Sequence, residues 1–191
     1  MSKKIKTVKT KKELQSLLVN IRKGKDLLKQ WIDLDPIYVG EKTKANYVES
    51  IHKQLLESTK KILLDGHWCE FGVRQGRSLK WLIEEYPHQV IHAFDSWKGL
   101  PEDWNHGTGK VADMSCDPPT VPGHIQLHKG WFQDTLPVWK QTYKGPIAFL
   151  HMDADIYSST KEVLMSLNDQ IVSGTIITVS YTHLTLPTKW I

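Results

Sequence analysis

Apolar and polar positions follow two periods along the chain, and each change of period marks an element. Leu14, Leu17, Leu18, Ile21, Leu28, Trp31 and Ile32 recur at helical spacing and predict one amphipathic helix, ended by Asp35-Pro36. Tyr47, Ile51, Leu55, Ile62 and Leu63 predict a second helix from the forties to the mid-sixties, stopped at Asp65-Gly66. From His67 onward short apolar runs take over, each leading into turn residues and a helical segment. The run through Val73, the glycines Gly72 and Gly76, and then Leu79, Leu82 and Ile83 read as strand, tight turn and helix. After Pro87 a second strand covers Val90 to Phe94, with Asp95 at its C-terminal end. Ile125 to His128 form a third, and Ile147 to Met152 a fourth whose unbroken apolar character suits a parallel strand buried on both faces. A helix through Val163, Leu164 and Leu167 follows, and Gly174 to Ile177 begin a fifth strand. This alternation predicts the α/β class, with a Rossmann-like parallel sheet behind the N-terminal helices.

The first strand-turn-helix unit carries the clearest chemistry. Its loop is Glu70-Phe71-Gly72-Val73-Arg74-Gln75-Gly76-Arg77-Ser78. Glycines let the backbone turn sharply and approach a ligand, the helix start presents free N–H groups, and an acid at the end of the next strand, here Asp95, accepts ribose hydroxyls. Dinucleotide-binding loops place a glycine at the middle position so that a pyrophosphate comes close. Here that position is Arg74, which argues against a pyrophosphate and suits a ligand with an amino-acid carboxylate, such as S-adenosylmethionine.

The connection from Ser96 to about Gly123 is polar and long, and it leaves the strand edge where open α/β sheets bind ligands. It reads as a lid over the ligand, with Trp97 and Trp104 either closing on a substrate or anchoring the loop. The turn Gly130-Trp131-Phe132 follows the third strand, where aromatic surface and close backbone suit a flat base or the core. The fourth strand runs His151-Met152-Asp153-Ala154-Asp155 into the next helix. Two acids at the mouth of a central strand need a partner, which is a divalent cation, a substrate hydroxyl or the cofactor. Such hard oxygen ligands suit Mg2+, while Asp155 can instead cap the following helix. His151 serves equally as a buried, hydrogen-bonded ring or as a base.

Charge and composition narrow the partners. The net charge of +4 conceals a leader, residues 1 to 30, with ten Lys or Arg against two acids, so the remainder is mildly acidic. No aromatic residue is interleaved with those leading charges, which reads as a solvated helix face rather than a nucleic-acid surface. Two cysteines, Cys69 and Cys116, make neither a disulfide framework nor a zinc pattern, so a reducing, cytoplasmic setting is expected. No signal-peptide segment or run of transmembrane length is seen, so no membrane partner is expected. The N-terminal helices would cap the sheet, gate the site or form a dimer surface. Val179-Ser180-Tyr181-Thr182-His183-Leu184-Thr185-Leu186-Pro187-Thr188 looks like a translated sequencing-library adapter. The expected division is a basic tail and helix over 1–45, a domain over 46–178 whose C-terminal part is incomplete, and a non-native tail over 179–191.

Taken together, Glu70-x-Gly72-x-x-x-Gly76, Phe94-Asp95-Ser96-Trp97-Lys98-Gly99-Leu100-Pro101, the Gly130 to Pro137 segment and His151 to Thr160 resemble the class I S-adenosylmethionine-dependent methyltransferases, most closely the macrocin O-methyltransferase type. The resemblance covers about Ile62 to Thr178 and implies their sheet, cut short after the fifth strand. It implies cofactor contacts from Glu70, Gly72, Val73, Arg74, Gly76 and Ser78, from Asp95 and Ser96, and from Gly130, Trp131 and Phe132. Asp153 would bind metal with Asp155 or orient the acceptor, and His151 or an acid would take the proton. The implied reaction is O-methylation of a hydroxyl on a sugar or similar small polar acceptor, assisted or not by Mg2+. Three other readings stand beside it. Asp153-Ala154-Asp155 is similar to the metal site of nucleotide-sugar glycosyltransferases, His151-x-Asp153 is similar to half of an iron-oxygenase triad, and a non-catalytic binding module is the third.

Overall fold

The computed structural model describes residues 44–102 and 114–180, with the side chains of all but 44–47 and 50. The expected first helix, Trp104, the side chain of Tyr47 and the segment from Tyr181 lie outside the described residues. Helix α1 spans Lys44–Thr59, followed by β1 His67–Phe71, α2 Arg77–Glu85, β2 Ile91–Asp95 and β3 Ile125–Lys129. Then come α3 Phe132–Thr142, β4 Ile147–Met152, α4 Tyr157–Ser166 and β5 Ile176–Val179. The five strands form one sheet in the order β3-β2-β1-β4-β5, and every pairing is parallel. Because β2 and β4 leave β1 on opposite sides, the strand order reverses at β1, and the C-terminal ends of β1 and β4 frame a crevice.

The residue-by-residue alternation of a strand assigns the two faces. Cys69 and Phe71 of β1 join Phe94, Leu150, Met152 and the helical Leu136, Trp139 and Val163 on one side. Trp68 packs on the other with Leu55 of α1 and Leu79 and Leu82 of α2. Residues of β4 are buried without exception, as its unbroken apolar run requires.

Two expectations are corrected. The second helix ends at Thr59, not in the mid-sixties, and Leu63, expected on its apolar side, is 96% exposed in the loop that leads to β1. Phe132, expected in a turn, instead opens helix α3, which the sequence pattern did not predict and which runs on through Pro137. Pro137 costs it one backbone hydrogen bond, yet burial of Leu136 and Trp139 on either side holds the helix to the sheet. No helix among the described residues is long and apolar enough to cross a membrane. Cys69 is buried and Cys116 half-buried, and both are free thiols.

Under α3 lies an aromatic cage around His92, whose ring sits 4.3 Å from Tyr143 and 5.3 Å from Trp139, centroid to centroid. His92 Nδ1 and His128 Nε2 are 3.1 Å apart and share one proton. Burial, reinforced by His128 and His67, pushes the His92 ring down to about 3. Below the ordinary value of 6.5 an unfolded chain would take up a proton that the folded chain refuses. The stabilisation is therefore complete above pH 6.5 and drains away as the pH falls toward 3. Thermal melts of His92→Phe should lose less stability than the parent between pH 7 and pH 4.5.

Candidate active site

The crevice at the sheet's C-terminal edge has a volume of about 610 Å³. Its floor is stapled from all sides. Gly72 donates its amide to the Phe94 carbonyl at 3.0 Å, and Asp153 donates its amide to the Phe71 carbonyl at 2.8 Å, fixing the β1 loop between β2 and β4. Gly72 has φ +86, and a Cβ there would meet the Asp153 carbonyl oxygen at 2.0 Å, so only glycine fits. Gly76, at φ +77, opens helix α2 against Pro119.

Asp95 ties the loop to the next strand. One of its carboxylate oxygens accepts the Arg74 amide and the other the Trp97 amide, each at 2.7 Å. The Trp97 indole returns the contact by donating to the Arg74 carbonyl at 2.8 Å. Trp97 is buried, so it anchors the loop rather than closing on a substrate. The Gly130 amide donates to the Asp95 carbonyl at 2.9 Å and joins the end of β3 to the same knot. A carboxylate offers about four acceptor sites, so with two amides bound Asp95 keeps about two for a ligand.

Arg74 and Trp97 have positive φ, +49 and +53, and so has Asp155 at +58. These three are the non-glycine residues of that kind among the described residues, and Arg74 and Asp155 line the crevice while Trp97 is bonded to Arg74. Backbone strain of this sort persists where surrounding contacts fix it, and here those contacts border one opening.

The expected site residues divide into wall and support. Gly72, Val73, Arg74, Ser78, Asp95, Ser96, Trp131, Phe132, Asp153 and Asp155 line the crevice. Glu70, Gly76, Gly130 and His151 stand behind it. Glu70 and His151 are neighbours in register across β1 and β4, each 0% exposed, with His151 Nδ1 3.2 Å from Glu70 Oε1. Ser78 donates its hydroxyl to the same Glu70 oxygen, and Ser180 meets His151 Nε2 at 2.6 Å. Both ring nitrogens of His151 are thus engaged, and the ring is buried behind the crevice rather than in its wall. Burial opposes its charged form, but the hydrogen bond to Glu70 and the charges of Glu70 and Asp153 lift its pKa above the ordinary value. Ser96, whose hydroxyl donates to the Gly99 carbonyl and accepts the Lys98 amide, braces the turn after β2.

Asp155 does not cap α4, since Ile156 occupies that position and no side chain caps the helix. The Ile156 amide bonds back to the Ala154 carbonyl at 2.6 Å, which makes Asp155 the centre of a γ-turn at the mouth of β4. Asp153 is pushed up to about 6, first by burial and further by Asp155 and Glu70, against the opposing pull of His151 and Arg77. Among the described residues no group of three His, Cys, Asp or Glu is placed to hold a metal ion, and Asp153 and Asp155 are the two carboxylates at the mouth of β4.

Because its folded pKa lies above the ordinary 3.8, Asp153 costs stability as the pH rises from about 4 through about 6, and the full cost is present above that. Asp153→Asn should therefore melt at a higher temperature than the parent at pH 7.5 and at nearly the same temperature at pH 4. Sequence reasoning overlooked Arg77, Trp81, Val48 and Ile51, which also line the crevice. Their signal was weak, because an exposed first-turn arginine and apolar helix positions look like ordinary surface and core.

A family model described as a methyltransferase domain matches residues 69–180, more than half of the chain. The chain belongs to this methyltransferase-domain family. It is therefore an enzyme of the methyltransferase class, and the end of β4, with His151, Asp153 and Asp155, lies within the methyltransferase domain. Among solved structures, CalS11, a calicheamicin methyltransferase, matches at 19% identity over 94% of this chain and 82% of that one, with a TM-score of 0.51. That likeness is one of fold. An apo structure of CalS11, described as a TDP-rhamnose 3'-O-methyltransferase of calicheamicin biosynthesis, matches at 19% identity over 87% of this chain and 75% of that one, with a TM-score of 0.46. No curated protein matches the methyltransferase chain.

Proposed function

We propose that this methyltransferase uses S-adenosylmethionine to methylate a hydroxyl on a sugar or similar small polar acceptor. The observation that carries the reading is Asp95, whose carboxylate is fixed by two backbone amides at 2.7 Å at the strand-order reversal and still has acceptor sites for a ribose. The family supports S-adenosylmethionine as methyl donor, and resemblance to the macrocin type supports a sugar hydroxyl as acceptor.

When bound, S-adenosylmethionine supplies a methyl group made electrophilic by its sulfonium. The chain's residues do the rest. Trp131 and Phe132 flank the adenine, Asp95 holds the ribose, and Arg74 and Ser78 meet the amino-acid end. Glu70 and His151 keep Ser78 in place from behind, while Gly72, Gly76 and Gly130 shape the backbone around it. Holding donor and acceptor in line removes much of the entropic barrier. Asp153, half-buried and ionised above about pH 6, accepts the hydroxyl's hydrogen bond and takes its proton as the oxygen becomes an ether.

Incubation of the purified chain with methyl-labelled S-adenosylmethionine and a panel of glycosides and small alcohols tests this reading. Label should pass to an acceptor hydroxyl, and Asp153→Asn should lower kcat by about a hundredfold or more, in the range of a lost general base, while donor binding persists. Donor binding without transfer to any of these acceptors would favour a binding module.

A further inference from the structure

We infer that the acceptor carries no phosphate and is instead a polyol, uncharged or amine-bearing, an inference that rests on the methyl-transfer reading above. The wall of the crevice carries five carboxylates against two guanidinium groups among the described residues. Asp95 and Arg74 belong to the donor half. What remains for the acceptor is Glu102, Asp153, Asp155 and Glu162, faced by Arg77.

Asp153, Asp155 and Glu162 are half-buried and Glu102 is exposed, and local contacts fix their positions. Asp155 sits in the strained γ-turn, at φ +58, and lies close enough to Asp153 to raise that group's pKa. Glu102 reaches across from the segment after β2 and accepts the Ser158 hydroxyl at 2.6 Å. Glu162 is one helical turn beyond Ser158 and accepts the Ser166 hydroxyl at 2.9 Å. The helices α1 and α2 contribute lining of different chemistry. Val48 and Ile51 of α1 and Trp81 of α2 present apolar surface, and the indole is held by His52 stacked at 4.5 Å.

An apolar face against a ring of carboxylates and serine hydroxyls matches the two faces of a sugar ring, whose C–H surface lies on an aromatic while its hydroxyls donate to acids. An amine gains further, because a charge-assisted hydrogen bond is about twice as strong as a neutral one. A methyl donor with one carboxylate, one ammonium and one sulfonium adds a single positive charge, which leaves the crevice acidic. A nucleoside diphosphate would bring two negative charges into that crevice, met on the acceptor side by Arg77 among the described residues, and like charges across an interface exclude a partner.

Calorimetry on the full chain saturated with S-adenosylhomocysteine tests this, with kanamycin and thymidine diphosphate glucose as probes. Kanamycin should bind at least about tenfold more tightly than the diphosphate sugar. Its affinity should fall with added salt, and Glu162→Gln and Asp155→Asn should each weaken it. Glu162→Lys should narrow the gap by improving the diphosphate. Equal or tighter binding of thymidine diphosphate glucose overturns the inference, as does failure of both probes on a chain that holds S-adenosylhomocysteine. Failure of S-adenosylhomocysteine itself to bind instead strikes the methyl-transfer reading, and this inference falls with it.

Discussion

Asp95→Ala should abolish measurable binding of S-adenosylmethionine, with a loss of roughly a hundredfold or more, since hydrogen bonds to a charged group contribute about 1.5 to 3 kcal/mol each and a ribose offers two. The effect has two sources that one extra variant separates. Alanine removes the acceptors for the ribose and also strands the Arg74 and Trp97 amides, which Asp95 now holds at 2.7 Å each. Asn keeps one oxygen for one amide and turns an N–H group toward the other. Asp95→Asn should therefore retain part of the binding and most of the melting temperature, whereas Asp95→Ala should lose both. Calorimetric titration beside a thermal melt reads the two effects. Wild-type affinity in Asp95→Ala would remove the carboxylate from the proposed ribose contact.

Gly72→Ala should be the most destabilising substitution in the loop, costing about 4 kcal/mol, at the upper end of single-residue effects. Its φ of +86 disfavours any L side chain, and the added Cβ would press on the Asp153 carbonyl at 2.0 Å. Relief requires β1 and β4 to part at the point where Asp153 donates its amide to Phe71. Stability and the site should fail together, seen as a lower denaturant midpoint and lost donor binding. Gly123→Ala is the matched control, since nothing lies within 4 Å of a Cβ there.

How far the sequence spoke for the fold depends on the element. Strand β4 is legible to the residue, because a strand buried on both faces is largely apolar and the run Ile147 to Met152, with His151 its one polar member, is bounded by Pro146 and Asp153. The succession of strands along the chain and the place of Asp95 followed from the same apolar runs, whereas their order in the sheet did not. Helix α3 was hidden by Pro137, whose cost is local and is offset by burial of Leu136 and Trp139, a tertiary effect that no propensity reports. The end of α1 was overrun because Ile62 and Leu63 keep a helical spacing, although only Ile62 packs against the core.

The site was legible in its wall and less so in its wiring. Gly72, Arg74, Asp95 and Asp153 stand out as residue types at strand ends. That His151 faces Glu70 across two strands depends on register, which a single chain does not reveal. The left-handed backbone of Arg74 and Asp155 left no mark in residue type, since neither is a glycine.

The most direct test of the central claim is a crystal structure of the chain with S-adenosylhomocysteine. Both ribose hydroxyls should lie within hydrogen-bond distance of the Asp95 carboxylate, with the adenine beside Trp131 and Phe132 and the sulfur facing Asp153. A nucleoside bound away from the ends of β1 and β2, or an Asp95 carboxylate that still meets only the amides of Arg74 and Trp97, would contradict it.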